Sequence, residues 1–256
     1  MASRWDELDV DGSIMKTYIA EPDGPGPHPG VVVAQHASGV DEFIVSICDR
    51  LAQAGYVAAA PDLYHRQNDV SFEDLGRMAR DDPERWPTMM KKAGAMLDDE
   101  IVSDMAAALA GLHSLPGVGD SPIGVTGFCG GGRVAYLMAA RNPGFAASAV
   151  FHGGNIMMAR GDGPSPFEQT AQIDCPMAGF FGWDDENPSI DDVAKISAEM
   201  DKHNKPHEFH LFDNTGHSFL DQTNARAYRE ASAADAWEKL TIFFGENLRT
   251  PAPAGK

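Results

Sequence analysis

Hydrophobic positions along this chain fall into short unbroken runs separated by longer amphipathic stretches. Residues 30–35 (GVVVAQ) are apolar and β-branched without alternation, the pattern of a strand buried on both faces. A helical stretch over 43–54 follows, closed by Gly55, and a second buried strand over 56–60 stops at Pro61. Two or three helices are expected across 71–114. The most regular, 101–112, puts Ile101, Met105, Ala108, Leu109 and Leu112 on one face. Beyond it the pattern predicts strands at 123–126, 147–151, 177–181 and 208–212, with helices at 134–140, 190–200 and 224–245. Strand and helix in alternation predict an α/β fold: a mostly parallel central sheet with helices on both faces, three layers in all. Two Pro/Gly-rich stretches interrupt it, a stiff turn between strands at 21–29 and a tail at 251–256 expected to fray. Neither resembles a linker between two cores, so residues 1–256 are expected to form a single domain.

Composition narrows the function. Hydrophobic residues make up 43% and charged residues 23% of the 256, enough for a packed core without disulfide staples. Lysine and arginine number 20 against 38 acidic residues, a net charge of −18. Such a surface repels phosphate backbones and anionic lipid, which argues against nucleic-acid and membrane partners. No apolar run approaches the roughly 20 residues of a membrane span, and the N-terminal stretch lacks an apolar signal core. A cytoplasmic location is expected. The three cysteines are odd in number and far apart; Cys48 and Cys175 read as small core residues.

Cys129 reads differently. Gly127-Phe128-Cys129-Gly130-Gly131-Gly132 follows a buried strand and opens a helix, the context of a nucleophile elbow with cysteine at its apex. Small neighbours let the backbone close a sharp turn, and the helix N-terminus aims N–H groups at the thiol, favouring thiolate and oxyanion alike. Gly130, Gly132 and Ala135 also satisfy a dinucleotide-binding fingerprint, but no acidic residue stands at 147–156 to hold a ribose. A cysteine nucleophile needs a base and the base an orienting acid, in the chain order nucleophile, acid, histidine. Strand 177–181 runs into Gly182-Trp183-Asp184-Asp185, and strand 208–212 runs into Gly216-His217-Ser218-Phe219. Both loops fall on the carboxyl edge of the sheet with the elbow. Asp184, two residues past the loop glycine, is the expected acid, Asp185 the reserve, and His217 the base. His203, His207 and His210 have spacing that suggests zinc, but Pro206 and strand alternation keep them from converging; no metal or other cofactor is expected.

These residues resemble the dienelactone hydrolase family of the α/β-hydrolase fold. The resemblance runs from about residue 12 to 246. It rests on the cysteine elbow, the Gly182-Trp183-Asp184 and Gly216-His217-Ser218-Phe219 loops, and on Val33-Ala34-Gln35-His36-Ala37-Ser38-Gly39-Val40 and Tyr56-Val57-Ala58-Ala59-Ala60-Pro61-Asp62-Leu63-Tyr64. It implies a Cys129-Asp184-His217 triad that opens a small ester or lactone through an acyl-enzyme, with an oxyanion hole from the N–H groups of Gly130 and Ala37. The lactone-cleaving members carry a glutamate where this chain has His36, and an arginine four residues after the triad histidine, where it has Asp221. Losing that cation implies that dienelactone itself is a poor substrate and that a neutral ester, lactone or thioester suits the site better. Arg80 and Arg85, in a segment able to overhang the site, are candidate replacement anchors, and His36, His152 and Asp221 candidate pocket residues. The protein is expected to act as a monomer or homodimer. The rival readings are an acyl-thioester hydrolase and a non-catalytic binding protein or thiol sensor on the same fold.

Overall fold

The computed structural model describes residues 1–67, 69–79 and 81–248. It opens with a β-hairpin, β1 (Ala2–Val10) and β2 (Ser13–Glu21), joined at Asp11-Gly12. Both turn residues have positive φ, 54° and 80°, which the Asp-Gly pair tolerates. Next come β3 (Gly30–Ala34), α1 (Glu42–Gln53), β4 (Val57–Pro61), α2 (Phe72–Arg77), α3 (Arg85–Ala95) and α4 (Asp98–Ser114). The second half contains β5 (Ile123–Phe128), α5 (Gly130–Arg141), β6 (Ala147–Phe151), a 3₁₀ turn at Phe167–Gln172, β7 (Met177–Gly182), α6 (Ile190–Lys202), β8 (His207–Phe212) and α7 (Glu230–Leu248).

One eight-stranded sheet results, in the order β1-β2-β4-β3-β5-β6-β7-β8. β3 to β8 run parallel and only the β1–β2 end is antiparallel. The mostly parallel three-layer α/β arrangement read from the sequence is therefore present. Ile101, Met105 and Leu112 of α4 pack with α5 and with Val193 and Ile196 of α6 in one core cluster. Phe43, Ile47 and Leu51 of α1 pack with Leu240, Phe243 and Phe244 of α7 in the other. Cys48 and Cys175 are buried in or beside these cores; burial pushes the Cys48 thiol far up and that of Cys175 to about 11.

Three of the boundaries that differ from the sequence pattern have a local cause. β4 includes Pro61, which pairs with Thr17 at the end of its ladder, where no further donor is needed. α5 starts at Gly130 rather than 134, because the elbow itself is the first helical turn. The closing helix starts at Glu230 rather than 224, after turns closed by Asp221 N–H to Ser218 O and Asn224 N–H to Asp221 O, each at 3.0 Å. Arg80 and the tail at 251–256 lie outside the described residues. Among the described residues no helix is long and apolar enough to cross a membrane.

Candidate active site

Register aligns the carboxyl ends of the parallel strands. Ala34 pairs with Gly127, Phe128 with Phe151, Phe151 with Phe180 and Gly182 with Phe212. The loops that follow β3, β5, β6, β7 and β8 consequently emerge along one edge. Beneath them Phe128, Phe151 and Phe180 stack in a row, centroids 4.8 and 4.4 Å apart, which stiffens the floor.

Cys129 sits at the apex of the β5–α5 turn with φ 56° and ψ −119°, a left-handed backbone that a non-glycine residue adopts only when its surroundings enforce it. Here they do. A Cβ on Gly127 would lie 2.1 Å from Gly131 O, one on Gly131 2.2 Å from Ala34 O, and one on Gly132 2.6 Å from Phe151 O. The glycines of the motif are thus used up in packing the turn onto β3 and β6. The Cys129 N–H reaches Phe151 O at 3.1 Å and His152 Nδ1 at 3.0 Å.

His217 arrives on the loop after β8, hydrogen-bonded to the Cys129 sulfur. Its acid partner is not the expected one. His217 Nδ1 lies 2.8 Å from Asp185 Oδ2, and Asp185 is buried, its Oδ1 also accepting the Asn187 N–H at 2.9 Å. Asp184 instead uses its main-chain N–H on Thr215 O (2.9 Å) and keeps an exposed side chain at the cavity rim. The reason is the turn after β7. Asp185 N–H bonds back to Gly182 O at 3.3 Å, so the third residue past the glycine, not the second, turns inward. Gly182 is itself pinned, since a Cβ there would lie 2.2 Å from Thr215 O.

Three imidazoles surround the sulfur in two charge states. His217 is raised to about 10: burial opposes its charge, but the hydrogen bonds and charges of Asp185 and Cys129 prevail. His36 is also raised despite burial, through the charge of Asp41, whose Oδ1 lies 2.9 Å from His36 Nε2. His152 is held well below the usual imidazole range, by burial first and then by the charges of His217 and His36. It therefore stays neutral, with Nδ1 free to accept from Cys129 and its proton on Nε2. The Cys129 thiol is lowered: burial disfavours the thiolate, but His217, then the charge of His36, and the Gly130 N–H outweigh it. Gly130, first residue of α5, already turns its N–H to the sulfur, and Ala37, the second expected oxyanion donor, is held by the Tyr64 hydroxyl on its carbonyl at 3.0 Å.

Two cavities, of about 880 and 670 Å³, meet over Cys129, His217, His36 and Ala37, with Trp86 and Met90 of α3 lining both. Arg85 lines the smaller one and reaches Ser38 Oγ at 3.4 Å; Asp221 lies there too, its Oδ1 accepting from Thr223 N–H (2.9 Å) and Oγ (2.6 Å). The larger cavity holds a cation absent from the sequence reading. Arg160 lines it, and its Nη1 is buried without a hydrogen-bond partner. Gln35 lines it as well: its Oε1 takes the Leu63 N–H at 3.1 Å, leaving the amide N–H₂ beside the Tyr64 hydroxyl with donor capacity to spare. Neither Asp41 nor Arg160 carries a motif. Asp41 could have been found as a helix-capping residue five positions after His36, but Arg160 leaves no comparable trace in the sequence. The three clustered histidines have separate partners: His203 contacts Glu199, His207 bonds Ser197 and His210 stacks on Phe180.

The dienelactone hydrolase family profile matches residues 15–248. The chain belongs to that family. It is 33% identical over 238 residues to a Synechocystis sp. protein named “Putative carboxymethylenebutenolidase”, covering 91% of this chain and 92% of that one. It is 28% identical over 253 residues to a Bradyrhizobium sp. protein named “Probable 2-oxo-3-(5-oxofuran-2-ylidene)propanoate lactonase”, covering 97% and 96%. The crystal structure titled “Putative Dienelactone Hydrolase” from Klebsiella pneumoniae superposes with a TM-score of 0.82 at 29% identity, over 96% of this chain and 100% of that one. The protein is a dienelactone hydrolase-like enzyme, a hydrolase of esters or lactones on the α/β-hydrolase fold.

Proposed function

We propose that the enzyme opens a small ester or lactone by nucleophilic catalysis through Cys129, His217 and Asp185. The observation that carries this reading is His217, which touches the Cys129 sulfur on one side and the buried Asp185 carboxylate on the other, where the two cavities meet. With Nδ1 on Asp185, Nε2 is the nitrogen left for the sulfur, so the resting state is a thiolate beside an imidazolium. The thiolate attacks the carbonyl carbon, and the charge that develops on oxygen meets the N–H groups of Gly130 and Ala37. As the C–O bond breaks, His217 gives its Nε2 proton to the departing oxygen. The neutral imidazole then takes a proton from water, which attacks the thioester and releases the acid and the thiolate. Asp185 holds the ring in the tautomer both steps require.

Arg160 supports a finer reading of the substrate. A cationic donor without a partner, lining a largely apolar cavity, suits an ester or lactone whose acyl part carries an anion. The names of the two relatives describe carboxylate-bearing lactones. On this reading the anchor for that carboxylate has moved from position 221 to position 160.

The test separates the two neighbouring aspartates. Asp185→Asn should lower kcat on a p-nitrophenyl ester by on the order of 10³-fold, because it favours the wrong imidazole tautomer. Asp184→Asn should stay within about threefold of wild type, as expected for an exposed rim carboxylate. The reverse ranking would overturn the assignment, and a Cys129→Ala variant with full activity would overturn the mechanism.

A further inference from the structure

Strand register puts position 36 beside the nucleophile. Ala34 pairs with Gly127 in the β3–β5 ladder, so His36 and Cys129, each two residues further on, leave the sheet together. The spacing is locked, because Gly131 has no room for a Cβ against Ala34 O and Gln35 O. The His36 ring packs on Phe43, centroids 5.5 Å apart, and its Nε2 lies 2.9 Å from Asp41 Oδ1, both side chains only 13% exposed.

Asp41 is fixed in place as an anion. It is the N-cap of α1, its Oδ1 accepting the N–H groups of Phe43 (3.1 Å) and Ile44 (3.3 Å), where the helix dipole favours negative charge. An ionised carboxylate held this way keeps a neighbouring buried imidazole protonated. The other titratable groups that act on His36 are Cys129 on the elbow and Asp221 on the loop after β8, both acidic, and the neutral His152 after β6 faces it in turn. His217 shares the cavity wall and pairs with Asp185.

We propose that His36, kept protonated by Asp41, presents a fixed positive end to the Cys129 sulfur and holds it as a thiolate, a supporting role separate from the proton-carrying His217–Asp185 pair. It rests on the reading of Cys129 as the nucleophile. The division of labour follows from the cycle. His217 gives up its proton when the leaving group departs, so its charge comes and goes. His36, tied to a capped carboxylate, keeps its charge while the thioester collapses and the sulfur must again leave as a thiolate.

The experiment is the pH dependence of Cys129 alkylation by iodoacetamide, located by peptide mapping, in wild type, His36→Gln, Asp41→Asn and His36→Lys. Asparagine still caps helices, so Asp41→Asn removes the charge and keeps α1 capped even if His36→Gln folds poorly. Both neutralising variants should move the alkylation midpoint up by about one pH unit, so that below the midpoint the reaction slows about tenfold. His36→Lys should restore the wild-type profile. Unchanged profiles in His36→Gln and Asp41→Asn would overturn the proposal, as would a profile in His36→Lys shifted like that of His36→Gln. Alkylation needs no turnover, so the two readings fail separately. An enzyme without esterase activity whose profiles shift as stated would sink the hydrolytic mechanism alone. Intact hydrolysis with unmoved profiles would sink this inference alone.

Discussion

The two walls beside Cys129 both carry charge, yet they offer a substrate different things. Behind the wall formed by the loop after β6, Asp98 at the start of α4 is fully engaged. It takes two hydrogen bonds from the buried Arg133, at 2.5 and 2.8 Å, and one from the Arg160 main-chain N–H at 3.2 Å, while its own N–H returns to Arg160 O at 3.0 Å. Arg133 also donates to Asn155 O (3.1 Å) and Met158 O (2.6 Å), so one guanidinium ties Asp98 to two points of the loop. What remains without a hydrogen-bond partner is Arg160 Nη1. On the opposite wall Asp221 is a buried carboxylate among the charged residues lining the smaller cavity, and Thr223 occupies its Oδ1 with two bonds. A pocket presents the hydrogen-bonding capacity left over after the fold has taken its share, not the formal charge of its loops.

The largest effect should come from breaking the support of the first wall. Arg133→Met keeps the volume but leaves Asp98 buried without its partner, a change that typically costs about 3–5 kcal/mol. For a chain of this size that is on the order of 10 °C in Tm, read by thermal denaturation. Activity toward an anionic ester should fall further than toward a neutral one, since Arg160 loses its anchorage. An unchanged Tm would mean the clamp does not hold the loop.

Next in size is Arg160 itself. Arg160→Gln should leave Tm and the hydrolysis of a neutral aryl ester near wild type. It should lower kcat/KM for the matched carboxylate-bearing ester by roughly thirtyfold, about 2 kcal/mol for one charge-assisted hydrogen bond. Equal losses on both esters would mean that Arg160 shapes the cavity without recognising an anion.

The sequence disclosed these parts unevenly, for physical reasons. The elbow was legible because its constraints are local: a cysteine at positive φ needs glycines at fixed offsets, and those offsets survive in any sequence that makes the turn. The strands from β3 to β7 followed from unbroken apolar runs. β1 was missed because only one of its nine residues is buried, so its run of exposed and half-buried positions carries no core signal. The carboxylate that meets His217 is Asp185, the reserve in the sequence reading rather than its first choice, because which side chain turns inward depends on a hydrogen bond between Asp185 and Gly182, not on composition. Arg160 was invisible for a different reason. Its availability depends on Arg133 having taken Asp98, a pairing made across 35 residues by the packing of α4 against α5. The expectation of a neutral substrate considered position 221 and the arginines at 80 and 85, and had no means of seeing 160.

The smallest effect should be at Asp221, the position from which the sequence alone argued for a neutral substrate. An arginine there would insert a long cation into a position only 5% exposed and strip Thr223 of its acceptor, so selectivity and folding would change together. Asp221→Asn is cleaner, because the amide oxygen can still accept from Thr223 while the negative charge disappears. That charge lies in the smaller cavity, whereas Arg160 lines the larger one; the anion of a substrate held by Arg160 therefore feels Asp221 only at a distance and through solvent. Removing it should raise kcat/KM for the carboxylate-bearing ester about threefold, on the order of 0.6 kcal/mol, and leave the neutral ester unchanged. The gain should shrink in high salt, as a screened interaction must. If Asp221→Asn instead improves the anionic substrate more than Arg160→Gln harms it, the anion sits in the smaller cavity, and Arg85 rather than Arg160 becomes the cation that holds it.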